Sequence, residues 1–161
     1  MDVRTRAEER PSLLWTPLGS RSRWVLAAAA LVAAVAHVPV IGPHLAEAPY
    51  LGEEFVVLTV ACLLLALAAL VCDSAAVYGL AVLTCGLGVL GYLATRLIAF
   101  PQLGDDVGNW LEPLGIVSIA AEVVGFGAAA GALLAAFGPR TRRRPATSQA
   151  WVPGRLSRTC G

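Results

Sequence analysis

The chain has 161 residues with a mean hydropathy of +0.70; 57% of them are hydrophobic, only 14% are charged, and the formal net charge is +1. Soluble domains carry roughly 25% charged residues, so this composition excludes an ordinary water-facing surface. The near-neutral balance also offers nothing to a nucleic-acid backbone, which leaves the lipid bilayer as the expected surroundings.

Residues 1–23 are rich in Arg, Pro, Ser and Thr and too poor in apolar side chains to build a core, so they read as a disordered tail. Four apolar segments follow: Trp24–Ile41, Phe55–Val71, Ala75–Phe100 and about Leu114–Phe137. Each is apolar on all sides, without strand-like alternation, and predicts a helix of about the 20 residues that a bilayer needs. Pro39, near the end of the first segment, predicts a bent or unwound final turn. Residues 42–54 and 101–113 are expected loops, "CDS" at 72–74 is an expected tight turn, and residues 138–161 read as a second, Arg-rich tail. The expected fold is all-α, a four-helix transmembrane bundle over 24–137.

Arginine gives the orientation. Eleven of the twelve arginines lie before the first segment or after the fourth, and lysine is absent. An even number of spans puts both flanks on one side, which the positive-inside rule makes cytoplasmic. The acids of the two long loops (Glu47, Glu53, Glu54, Asp105, Asp106 and Glu112) then belong outside. The all-arginine, Ala- and Gly-rich composition suits a GC-rich bacterial genome, and the expected location is the plasma membrane, crossed several times. A rival reading treats "RSRWVLAAAALVAAVAH" (21–37) as a signal peptide cut after "AVA". That would leave three spans and an N-terminal His37 able to chelate copper. The apolar run continues through "VPVI", which favours retention.

In lipid, helices associate through close packing and polar contacts rather than apolar burial. "GAAAG" (Gly127–Gly131) on the fourth segment and Thr84 and Gly88 on the third are small faces that predict a hairpin of these two helices. Cys62, Cys72, Cys85 and Cys160 show no metal-like spacing and read as small apolar packing residues. "GLGVLG" (86–91) spells a dinucleotide fingerprint but sits inside a span with no preceding strand, so it carries no nucleotide site.

Charge inside a bilayer is costly and marks function. Glu122 lies about eleven residues into the fourth segment, roughly 16 Å deep, with Ser118 one turn above on the same face. The pair suits a proton, ion or ligand site, or a glutamic acid bonding a neighbouring helix. Arg96, placed against the positive-inside gradient, either snorkels to the interface or pairs with Glu112, Glu122 or a loop acid. His37 and His44, with Glu47 nearby, are candidate ligands for copper, zinc or iron; a bis-histidine haem is a further option. Both histidines also suit plain interfacial roles. Asp105 and Asp106 read as solvated or capping, and Trp110 as an interface anchor.

The segments "HVPVIGPHLAEAPYLGEEFVVL" and "GYLATRLIAFPQLGDDVGNWLEPLGIVSIAAE" resemble a group of small, uncharacterised integral membrane proteins of actinobacteria. The likeness covers about residues 35–125 and leaves out both tails. It implies a multi-span bacterial membrane protein and adds no activity or catalytic residue.

No nucleophile–base–orienter set, GxSxG or P-loop is present, which argues against an enzyme. Three roles fit the residues. The first is an accessory or ligand/metal-binding subunit with a site on the acid-rich side. The second is a small transporter, channel or proton-relay subunit using Glu122 and Arg96. The third is a structural subunit that forms homo-oligomers or docks an extracytoplasmic protein partner.

Overall fold

The computed structural model of the chain describes residues 13–15 and 17–138. The expected tail from 139 onward, with Cys160, and the first twelve residues lie outside the described residues. Four helices dominate: α1 (Ser22–Glu47), α2 (Pro49–Val71), α3 (Ala75–Leu97) and α4 (Pro113–Phe137). Each is long and apolar enough to cross a membrane. Large apolar side chains such as Leu64, Leu67, Leu83, Leu90 and Leu134 point outward. So apolar an exterior suits lipid rather than water. The fold is the expected all-α four-helix bundle, and it fits a small multi-pass integral membrane protein.

The expected loop at 42–54 is not a loop. α1 runs through Pro39 and Pro43 to Glu47, and α2 begins at Pro49, so a single residue, Ala48, joins the two helices. Proline removes one helical hydrogen bond and crowds the preceding turn. Inside membrane helices prolines are tolerated where neighbouring groups or small backbone adjustments satisfy the freed carbonyls. Pro49 opens α2 at a position whose missing N–H has no helical partner to lose. The Ala48 carbonyl accepts from the N–H groups of Leu51 and Gly52. The hairpin is so tight that a Cβ on Gly52 would lie 2.6 Å from the backbone nitrogen of Leu45.

α1 packs most extensively on α2 and then on α4, α3 packs on α4, and the α2–α3 seam is the slightest. The interior is built largely of alanine. Leu26, Leu65, Tyr78, Ala81 and Ala129 fill the arginine-flanked half. Ala33, Ala34, Cys62 and Ala121 fill the middle, and Ala48, Leu51 and Leu103 close the acidic end. Small side chains let the helix backbones approach, and dispersion then replaces the missing hydrophobic drive.

α3 and α4 pair as the small-residue faces suggest, though not through all of them. Gly88 meets the Glu122 side chain, and a Cβ on Gly125 would stand 3.0 Å from the Cys85 sulfur. Gly127 and Gly131 have open space beside them and are exposed. The expectation that "GAAAG" forms the α3–α4 contact is therefore corrected. The buried face runs through Ala121, Gly125, Ala129 and Ala132, which the helical period separates from Gly127.

At the arginine-flanked end the 72–74 turn is fastened by Asp73. Its carboxylate accepts from the Tyr78 hydroxyl at 2.7 Å and from the Ser20 N–H at 2.8 Å, and its carbonyl accepts from the Leu18 N–H at 2.9 Å. Pro17–Ser20, expected as part of the tail, thus packs against the turn between α2 and α3.

Candidate functional site

The slight α2–α3 seam leaves a cavity of about 460 Å³ in the acidic half of the bundle. That lies within the range of about 300–1,000 Å³ typical of small-molecule sites. Val57 of α2 and Leu87 of α3 line it and are also exposed on the bundle surface. The cavity therefore opens sideways between these helices as well as toward the acidic end. Two polar clusters face it.

The deeper cluster brings together α1 and α4. Glu122 is 2% exposed, His37 4% and Ser118 7%. Ser118 precedes Glu122 by one turn, which stacks the two on one face. The Ser118 hydroxyl and His37 Nε2 share a 2.8 Å hydrogen bond whose direction follows the imidazole tautomer. Glu122 Oε1 stands 3.6 Å from the same nitrogen. Gly88 of α3 makes room for the carboxyl. Buried polar atoms normally find partners, yet Glu122 Oε1 and His37 Nδ1 have none among the described residues. Both belong to residues that line the cavity, as does Arg96, whose Nε is likewise buried without a partner among the described residues.

The rim cluster is an ion-pair clasp. The last turn of α3 carries Arg96, 5% exposed. Its Nη1 lies 2.7 Å from Asp106 Oδ1 and its Nη2 2.8 Å from Glu112 Oε2. Its guanidinium carbon lies 4.9 Å from the centre of the Tyr92 ring. The planar fork of arginine suits two acids at once, so one side chain fixes both ends of the connection between α3 and α4. Gly108, at φ +78°, adopts the left-handed backbone that glycine favours and donates its N–H to the Arg96 carbonyl at 3.0 Å. On the opposite side the Tyr50 hydroxyl donates to the Pro101 carbonyl at 2.7 Å, and Leu103 packs on Ala48 and Leu51.

Of the residues singled out from sequence, Glu122 and Ser118 share the deep cluster with His37, and Arg96 and Glu112 share the rim. Arg96 pairs with Glu112 and Asp106, not with Glu122. His44 lines the cavity, with Nδ1 donating to the Val40 carbonyl at 2.7 Å. Glu47 points outward and is exposed. His37, His44 and Glu47 are not gathered into one donor set, and no group of three or more His, Cys, Asp or Glu is placed to hold a metal among the described residues. One nitrogen of each imidazole is engaged, His37 Nε2 with Ser118 and His44 Nδ1 with the Val40 carbonyl.

Sequence reasoning missed Phe55, Tyr92 and Gly88 as site residues, and had Asp106 only as one of the loop acids open to Arg96. The Phe55 ring lies 5.5 Å from the His37 ring and 4.9 Å from that of His44, centre to centre. Asp106 had a signal, the need of an arginine placed against the charge gradient for acids near it in sequence. Gly88 had been visible only as a packing residue.

Comparison with known proteins gives no match to the chain among protein-family models, curated proteins or solved structures.

Proposed function

We propose that the protein is a membrane-embedded binding protein, whose ligand enters the cavity between α2 and α3 and places its polar group on Glu122, His37 and Ser118. The observation that carries this reading is a cavity of ligand size whose floor holds buried polar atoms without partners. Burying such atoms is costly, and a ligand that bonds them recovers that cost. The same cavity suits an accessory subunit that presents its ligand to a partner. In this reading the arginine flanks face the cytoplasm of a bacterial cell, both termini lie inside, and the cavity opens toward the outer half of the plasma membrane.

A transport or proton-relay role using Glu122 and Arg96 has less support. Below Glu122 the bundle is filled by Leu26, Leu65, Tyr78, Ala81, Cys85 and Ala129, a largely apolar layer between it and the arginine-flanked end. Arg96 is held by two carboxylates at the rim and is occupied as a clasp.

A test uses Gly91, which lines the cavity and has open space where a Cβ would point. Gly91→Leu adds bulk to the cavity lining from this open position, and Gly127→Leu adds the same bulk on the outside. Titration of detergent-solubilised protein with the neutral fluorophore N-phenyl-1-naphthylamine should give saturable binding to wild type and Gly127→Leu. Gly91→Leu should lose it. Equal signals from all three proteins would refute the reading.

A further inference from the structure

The charges around the cavity favour one sign of ligand, an inference that rests on the binding reading above. Its lining carries four carboxyl side chains, Glu54, Asp106, Glu112 and Glu122, against one guanidinium, Arg96. Both terminal nitrogens of Arg96 are already engaged by Asp106 and Glu112. An anion entering from the acidic end would pass acids and meet a guanidinium already balanced by two of them, with His37 and His44 as the other basic side chains of the lining. A positively charged group would first meet Glu54, which is exposed and has no ion-pair partner among the described residues. It would pass the Phe55 ring in the wall, and aromatic faces attract cations. At the floor it would reach the carboxyl of Glu122, whose Oε1 has no hydrogen-bond partner among the described residues and stands 3.6 Å from His37 Nε2. A charge pair formed there is little screened by water or salt.

The remaining walls define the rest of the ligand. Ala61, Leu58 and Leu114 are apolar, and Val57 and Leu87 lie where the cavity meets the bundle surface. A small hydrated cation gains nothing from such walls, whereas an apolar body with a charged centre fits them. We propose that the cavity binds a lipophilic organic cation, an amine or onium centre on an apolar body, with Glu122 as its counter-ion.

The test compares two ions of the same shape and opposite charge, tetraphenylphosphonium and tetraphenylborate, by equilibrium dialysis against detergent-solubilised protein. Cavity binding is the difference between wild type and Gly91→Leu, which cancels partition into micelles. The proposal expects tetraphenylphosphonium to bind the cavity at least about tenfold more tightly than tetraphenylborate, and Glu122→Gln to weaken it by at least about tenfold. The comparison of the two ions needs only the wild-type carboxyl, so it decides the matter even where Glu122→Gln does not fold. Equal binding of the two ions, a preference for the borate, or a folded Glu122→Gln that keeps full affinity would overturn the assignment of charge while leaving the cavity as a binding site. If neither ion binds the cavity, the proposal fails, and the neutral fluorophore then decides whether the binding reading fails with it.

Discussion

His37 on α1 and Glu122 on α4 meet inside the bundle with Nε2 and Oε1 3.6 Å apart, and Ser118 holds the same imidazole nitrogen at 2.8 Å. This contact ties two helices at the depth where α2 and α3 stand apart, so it has a structural role beside any binding role. Replacing His37 by alanine removes the hydrogen-bond partner of the buried Ser118 hydroxyl, which costs about 1–3 kcal/mol. Unfolding in mixed detergent micelles measures it. Once Glu122 is already alanine, the His37→Ala loss should be smaller, and strict additivity would show that the two side chains do not interact.

Arg96 holds the α3–α4 connection through Asp106 and Glu112. Because both acids are partly exposed, breaking the clasp should cost about 1–3 kcal/mol, less than the loss of one partner from a fully buried pair. Amide exchange should rise across 103–109 in Arg96→Gln and stay unchanged at the buried positions of α1. Arg96→Lys should behave much like Arg96→Gln, since a single ammonium cannot reproduce the two-armed geometry. Wild-type protection in the lysine variant would contradict the clasp.

The glycines divide into two classes. Gly52→Ala drives a methyl into the Leu45 backbone, which cannot move aside, and should destabilise by about 1–3 kcal/mol or more. Gly127→Ala and Gly131→Ala meet nothing among the described residues and should be neutral or gain up to about 1 kcal/mol from helix propensity. A large loss at Gly127 or Gly131 would reveal that this outward face packs against a second copy or a partner. Thermal unfolding of the purified variants separates these outcomes.

Asp73 anchors three groups at the arginine-flanked end. Asp73→Ala removes two of those hydrogen bonds, from Ser20 and Tyr78, and should cost about 1–3 kcal/mol. Tyr78→Phe removes one and should cost about 0.5–1.5 kcal/mol. Faster amide exchange at Ser20 in Asp73→Ala, but not in Tyr78→Phe, would locate the effect at the N-terminal strap.

Helix number, fold class and the α3–α4 pairing were legible in the sequence because long apolar runs leave few alternatives in lipid. The α1–α2 connection was not. Pro39 reads as a breaker under rules drawn from water-soluble helices, and only the packed structure shows the helix passing through it and through Pro43. Glu122, Ser118, Arg96 and Glu112 stood out because polar groups are rare in such a chain. Their grouping depended on tertiary geometry: whether Arg96 met Glu122 or a loop acid turned on how the connection folds back, which spacing does not encode. The pairing of His37 with Ser118, 81 positions away, had no local signal at all. Glu47 seemed a companion of the histidines because it is close in sequence, yet it points away at the end of α1.

The central claim is that the cavity between α2 and α3 holds a ligand in the membrane. Native mass spectrometry of protein extracted gently from its own membrane tests this most directly. The account predicts a stoichiometric non-detergent adduct on wild type and Gly127→Leu that is absent from Gly91→Leu. Identical spectra from all three folded proteins, with or without an adduct, would contradict it.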